Sequence, residues 1–354
     1  MQKSLKIVHC AIFSQFKNGE AFYAMDRKIS HGLIQNGHFV YDFSYRDVAR
    51  VQRILGFKQR SIDKMNQDLL KTCENINPEL LLLGKAEMIY PETLEKIKRK
   101  LPNIKIVKWF VDFLKTEKSA FFEQFQFIDA FFQTTATELY ELSRKYKNTV
   151  FSYLPNISDP SIDRKIDRRK EYDVLYIARD YKADVRTEFA NLLKDFCEKE
   201  NINLRIYGSL GNPTIFGNNY QEEISKSKIA INFNREDKLD DYNRTKILGS
   251  SDRMNHFLGS GTCTFSPHII SMDKLYKKDK EVIYFNNIEE CFKKLKYYLK
   301  DNRFENVGLS GQKKAYSMAN AKRVSQFIVD VSFQKELSEK YEWEDYIFKF
   351  EEEK

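Results

Sequence analysis

Asp252-Arg253-Met254-Asn255-His256-Phe257-Leu258-Gly259-Ser260-Gly261-Thr262-Cys263-Thr264-Phe265 is the stretch whose reading decides the fold. It reads as a short helix feeding a strand. Ser250 or Ser251 is placed to cap that helix, Arg253 lies in its first turn, and Gly259 and Gly261 end it before the β-prone run 262–265. A helix start beside an arginine is an anion site, because open backbone N–H groups and the positive end of the dipole favour phosphate and a guanidinium fork can hold a diphosphate. The ligand expected there is phosphorylated.

Strand-like and helical runs alternate on both sides of this stretch. Upstream, strands are expected over 5–13, 39–43, 80–83, 105–110, 128–132 and 149–154, with helices over 21–36, 63–73, 92–100 and 135–147. The pattern restarts with strands over 172–178, 203–207 and 229–233 and helices over 185–200 and 221–226. After the opening stretch come a strand over 282–285, a helix over 288–299 and a helical tail from 313 to about 350. Such alternation with apolar strands predicts an α/β fold of two Rossmann-like, doubly wound domains, each with a parallel sheet covered on both faces. Pro155-Asn156-Ile157-Ser158-Asp159-Pro160, extended by the charged run 163–171, is the expected boundary between domains 1–155 and 156–325.

Composition agrees with two cores. The chain has 354 residues, 42% hydrophobic, with 28 Phe and 20 Tyr, which excludes a disordered chain. Basic and acidic residues number 59 and 51 and are interspersed, for a net charge of +8. That balance suits anionic small molecules or an anionic membrane surface and leaves nucleic acid open, with a solvated Lys-rich surface as the plain alternative. Cys10, Cys73, Cys197, Cys263 and Cys291 are odd in number and never form Cys-x-x-Cys, as expected of buried free thiols in a reducing compartment. No run of 18 apolar residues and no signal-peptide pattern is present, so a cytoplasmic location is expected.

Open α/β sheets bind ligands outside the carboxyl ends of their strands, here in a cleft expected between the two domains. Arg179, Lys182, Arg186, Arg244, Lys246 and Arg253 fall where strands hand over to loops and helices. Gly208, Gly211, Gly259 and Gly261 would let backbone approach a ligand, or simply form turns. His9, inside an apolar strand, is expected to be a core residue, and His38 a turn residue. Phe121, Phe122, Phe125 and Phe127 are spaced for a helix face, with core packing as the default and a hydrophobic acceptor surface as the sharper reading.

Ile229-Ala230-Ile231-Asn232-Phe233-Asn234, Ser251-Asp252-Arg253, Phe257-Leu258-Gly259-Ser260-Gly261, Val282-Ile283-Tyr284-Phe285 and Asn286-Asn287-Ile288-Glu289-Glu290 together resemble the donor-binding half of GT-B glycosyltransferases. Within that fold they are most similar to the spore-maturation-protein-like family 1 group. The resemblance covers about 170–315, and only Gly37-His38, Trp109-Phe110-Val111-Asp112 and Leu154-Pro155-Asn156 match in the first half. It implies an acceptor-side N-terminal domain, a nucleotide-sugar donor domain, and a helical tail 326–354 returning to the first. It also implies a metal-independent hexosyl or related transfer from a nucleotide-diphosphate sugar to the hydroxyl of a glycan, lipid or other acceptor, as in polysaccharide biosynthesis. No cofactor and no metal are implied, and the chain has no Asp-x-Asp pair. The implied donor-binding residues are Arg179, Gly208, Asn232, Lys246, Arg253, His256 and Gly261; His256 stands where the family has a ribose-binding glutamate. Asp112, after the strand 105–110, is the implied acceptor-side base, against the alternative of a turn or cap aspartate. Peripheral contact with the inner face of a membrane is compatible with this reading. The alternatives are a non-catalytic nucleotide or sugar binder of the same fold and a nucleic-acid-modifying protein, the latter resting on charge alone.

Overall fold

Strand β3 (Leu80–Gly84) is Leu-Leu-Leu-Leu-Gly and buried at every position, which fits the interior of a sheet covered on both faces. The computed structural model describes residues 3–53, 57–111, 114, 117, 119–180, 184–235, 237, 239, 246–333 and 336–350. β3 lies between β1 (Lys6–Ala11) and β4 (Lys105–Phe110), and the sheet continues through β5 (Ala130–Gln133) and β6 (Val150–Tyr153) on one side and β2 (Phe39–Ser44) on the other. These six strands are parallel in the order β2-β1-β3-β4-β5-β6. Between them run α1 (Met25–Gln35), α2 (Tyr45–Val51), α3 (Lys58–Ile76), α4 (Pro91–Lys100), α5 (Ser119–Glu123) and α6 (Leu139–Lys145).

A second parallel sheet has the order β8-β7-β9-β10-β11, built from β7 (Tyr172–Ile177), β8 (Leu204–Tyr207), β9 (Ser227–Ile231), β10 (Cys263–Pro267) and β11 (Ile283–Phe285). Its helices are α7 (Val185–Lys199), α8 (Gly217–Ser225), α9 (Asp252–Gly259), α10 (Met272–Leu275), α11 (Ile288–Leu299) and α12 (Phe304–Met318). Asn287 caps α11 by accepting from the Glu290 N–H at 2.8 Å, and the Glu290 carboxylate accepts from the Asn286 N–H at 2.7 Å. The Asn-Asn-x-Glu-Glu piece is thus a helix start. In both sheets the order reverses beside the first strand, between β1 and β3 and between β7 and β9.

Contacts divide the chain into Asn156–Asn320 and a discontinuous unit, Met1–Pro155 with Ala321–Lys354. The last helix, α13 (Ala321–Ser332), packs on α1 so closely that a Cβ on Gly32 would overlap the Ala321 carbonyl. Asn36 and Ser325 add hydrogen bonds across this contact, to the Lys322 and Ile29 carbonyls.

The tail differs from the expected helix. α13 ends at Ser332; Tyr341 and Trp343 fold back onto Phe327, and β12 (Ile347–Phe348) pairs antiparallel with β6. Tyr346, Phe348 and Phe350 recur every second residue, a strand period that suits covering an open sheet edge.

Two residues of the aromatic run of the first half are core: Phe121 and Phe125 are buried and pack edge-on against Phe131, while Phe122 and Phe127 are half-buried. All five cysteines are buried and free. His9 is also core, and its tautomer follows from its neighbours. The Trp109 indole donates to His9 Nε2 at 3.1 Å, so the ring proton sits on Nδ1, 2.8 Å from Ser30 Oγ, and Ser30 donates to Asp42 at 2.6 Å. Burial pushes His9 down to about 3 from an ordinary 6.5. Between these values the unfolded chain binds the proton and the folded one does not, so this contribution is complete above pH 6.5 and is lost as pH falls. Urea unfolding is expected to show a loss of about 1.4 kcal/mol per pH unit below that point. His9→Gln should flatten the slope. Asp42, raised by burial, acts in the opposite sense near its own titration, so the upper part of the window is the informative one.

Candidate functional site

Arg253 sits in the first turn of α9 at the point where the second sheet reverses its strand order. Its Nη1 donates to the Ile177 carbonyl at the end of β7 (2.6 Å), and Nη2 donates to the Phe233 carbonyl just past β9 (2.8 Å). Nε and Nη2 also reach Asn232 Oδ1 at 3.3 and 3.1 Å. One guanidinium therefore ties together the carboxyl ends of two neighbouring strands and the start of a helix. Asn232 is fully buried; its Oδ1 also accepts from Ser251 Oγ at 2.6 Å, and its Nδ2 lies 3.4 Å from Ser266 Oγ on β10.

That arrangement corrects the expected cap. Ser251 occupies the N-cap position, but its hydroxyl is spent on Asn232, so among the described residues no side chain caps the first-turn N–H groups of α9. α9 is instead held from below. Asn255 donates to the Asn156 carbonyl at 2.6 Å, Ser158 donates to the Asn255 carbonyl at 2.9 Å, and Asn156 donates to the Ser250 carbonyl at 2.8 Å. The segment read as a linker is a buried polar clamp on this helix.

Other cations gather at the same sheet edge. Arg179, exposed, follows β7, and its carbonyl accepts from the Arg186 guanidinium. Arg186 and Arg235 both pair with Asp184, at 3.3 and 3.2 Å. Asp184 also caps α7; burial alone would raise its carboxyl, but Arg186, the Thr187 N–H and Arg235 hold it below the ordinary range. Lys246 pairs with Asp237 at 3.2 Å, and Asp237 accepts from the Asn234 N–H at 2.6 Å, so Lys246 steadies the loop after β9. Gly208 ends β8 with φ +75°, and a Cβ there would lie 2.7 Å from the Ala178 carbonyl. It lets the turn approach the end of β7, where Asp180 accepts from Ser209 and from the Leu210 N–H.

Two expected donor residues lie elsewhere. Gly261 precedes β10, at the amino end of the sheet, and its carbonyl lies where a Cβ on Gly308 of α12 would go. It is a packing residue, because the turn that ends α9 must leave room for α12. His256 is 4% exposed; its Nδ1 is 2.9 Å from the Tyr220 hydroxyl and its Nε2 is 4.0 Å from Asp163. These contacts point it into α8 and the chain before β7. Asp112, Lys182 and Arg244 lie outside the described residues. Among the described residues no group of three or more His, Cys, Asp or Glu side chains is close enough to hold a metal ion, and no helix is long and apolar enough to cross a membrane.

Residues 186–330, which contain Asn232, Arg253 and α9, match the family model described as "Glycosyl transferase-like". No curated protein matches. Solved structures do, across nearly the whole chain: sucrose-phosphate synthase from Thermosynechococcus elongatus has a TM-score of 0.60 at 8% identity, over 94% of this chain and 99% of that one. HepE of Anabaena in complex with UDP-glucose scores 0.58 at 9% identity, over 93% of this chain and 100% of that one. AviGT4, a glycosyltransferase involved in avilamycin A biosynthesis, scores 0.56 at 8% identity, over 93% and 97%. The chain has the GT-B fold. Within GT-B the Arg253 edge belongs to the second Rossmann-like domain, where it was expected, while the first shares the same reversed strand order at β1 and β3.

Proposed function

We propose that the chain is a glycosyltransferase whose donor is a nucleoside-diphosphate sugar, bound at the Arg253 edge of the second sheet. The observation that carries this reading is the start of α9, which no described side chain caps, beside Arg253 at the strand-order reversal; α9 lies inside the segment that matches the glycosyltransferase model. The start of the α9 dipole, the charge of Arg253 and the exposed Arg179 supply positive potential for a diphosphate leaving group without a metal ion. HepE of Anabaena has been solved with UDP, with UDP and glucose, and with UDP-glucose, which makes UDP the first nucleotide to try. Asp112 is the proposed acceptor-side base, and the spore-maturation-protein-like group the proposed subfamily.

A thermal-shift titration tests the donor. One nucleoside diphosphate is expected to raise the unfolding midpoint with concentration, by about 2.7 kcal/mol of stability at a hundred times its dissociation constant, and the matching nucleoside much less. No response to any nucleoside diphosphate would remove the donor reading. Binding without turnover on any sugar nucleotide would favour a non-catalytic binder.

A further inference from the structure

Beside the first sheet, Ser119, Phe122, Glu123, Gln126, Lys145 and Tyr146 line an open groove of about 400 Å³, where α5 and the turn after it meet the end of α6. That volume falls within the roughly 300–1,000 Å³ of small-molecule sites. Phe122 leads through 124–127 into β5, and Tyr146 stands just ahead of β6, so the groove lies toward the amino ends of these strands. Open α/β sheets bind ligands at the other edge, so this groove is separate from the edge where acceptor chemistry is expected. The two ring walls of the groove are set by the core. Phe125 is buried behind them, its ring centre 6.2 Å from that of Phe122 and 4.8 Å from that of Tyr146. Lys145 Nζ lies 5.8 and 5.2 Å from the same two ring centres. Glu123, Gln126 and Lys145 are exposed, and among the described residues their side chains make no hydrogen bond or ion pair.

We propose that this groove binds a neutral oligosaccharide. A sugar ring offers an apolar face of C–H groups, slightly positive, to the negative faces of Phe122 and Tyr146. Its hydroxyls both donate and accept, which matches an acceptor in Glu123, a donor in Lys145 and both in Gln126. Other ligand classes fit less of the groove. An anion would meet the Glu123 carboxylate and two ring faces of its own sign. A cation would find its place before the rings already taken by the Lys145 ammonium. A wholly apolar ligand would cover three polar side chains and satisfy none of them. The groove is open to solvent, so a chain of sugars can lie along it and continue beyond either end. Rings already fixed by Phe125 lose little freedom when a sugar stacks on them. This inference does not depend on the glycosyl-transfer reading and is tested on the full chain without any donor.

The test is saturation-transfer NMR with neutral gluco-, manno- and galacto-hexasaccharides in both anomeric linkages, beside glucose, a hexagalacturonate and choline. At least one neutral hexasaccharide is expected to bind with a dissociation constant on the order of 1 mM, and glucose about tenfold more weakly because it spans less of the groove. Phe122→Ala should weaken that binding about tenfold, and so should the double variant Glu123→Ala, Gln126→Ala. Glu123 and Gln126 are exposed, so the double variant's melting midpoint should match the wild type, and it decides the matter alone if Phe122→Ala does not fold. Three results would each overturn the proposal: no neutral hexasaccharide bound at millimolar concentration, wild-type affinity in the double variant, or tighter binding of hexagalacturonate or choline than of every neutral sugar. A chain that still responds to a nucleoside diphosphate while failing here loses this inference and keeps its donor reading; the converse result does the opposite.

Discussion

Asp112→Asn is expected to leave the melting midpoint and donor affinity unchanged and to lower turnover by about 10²–10⁴-fold, the size of a lost proton-transfer group. The residue lies two positions past Phe110, the end of β4, and open α/β sheets bind ligands beyond their strand ends. Attack by an acceptor hydroxyl at the anomeric carbon, with departure of the diphosphate, releases the hydroxyl proton: inversion needs a side-chain base on the face opposite the diphosphate, whereas with retention the departing diphosphate oxygen can take the proton. Product configuration, read by NMR alongside the variant's rate, therefore belongs to the same experiment. Inversion with a loss of that size makes Asp112 the base. Retention with a smaller loss makes it a residue that orients substrate. Wild-type turnover would remove it from the site, and a variant that fails to fold would make it a cap.

The second large effect is expected at Arg253. Arg253→Ala leaves the Ile177 and Phe233 carbonyls and Asn232 Oδ1 without their shared donor, and should cost about 3 kcal/mol of stability. Most of the five guanidinium N–H groups are occupied within the protein, so the residue contributes to a bound diphosphate chiefly through its charge and by holding α9 in place. Arg253→Gln separates these roles, because a side-chain amide can replace one or two of the hydrogen bonds and none of the charge. It is expected to recover part of the stability while binding nucleoside diphosphate roughly tenfold more weakly, with nucleoside affinity little changed, by calorimetry. Equal losses for both ligands would make Arg253 a structural bracket alone.

How much of this was legible depended on whether the deciding contacts were local. The apolar runs of β3 and β4 and the restart at β7 lie in continuous sequence, and their elements fall within a few residues of expectation. α2 escaped notice because seven residues directly after a strand are too few for a helical period to show. The tail's aromatic content suits a helix face, but the every-second-residue spacing of Tyr346, Phe348 and Phe350 is a strand's.

In the site, Asn232 and Arg253 were legible as residues at a strand end and a helix start, but their bond to each other spans 21 positions. Gly261 carries the same turn signal whichever end of a sheet it occupies. The facing of His256 is set by Tyr220, 36 residues away, and by Asp163 in the segment before β7. The hydrogen bond from Trp109 to His9 crosses 100 residues. Burial could be foreseen there, and the partner could not.

The docking of α13 on α1 has a consequence for biosynthesis. Translation runs from the N-terminus, so the ribosome has made all of Asn156–Asn320 before the residues that complete the first unit emerge. Until then the first unit carries a bare groove at Gly32 and an unpaired β6 edge, the kind of surface that recruits chaperones or neighbouring chains. The second unit, continuous in sequence, can fold in that interval. The order of maturation is thus the reverse of the order of synthesis: the half made first is finished last.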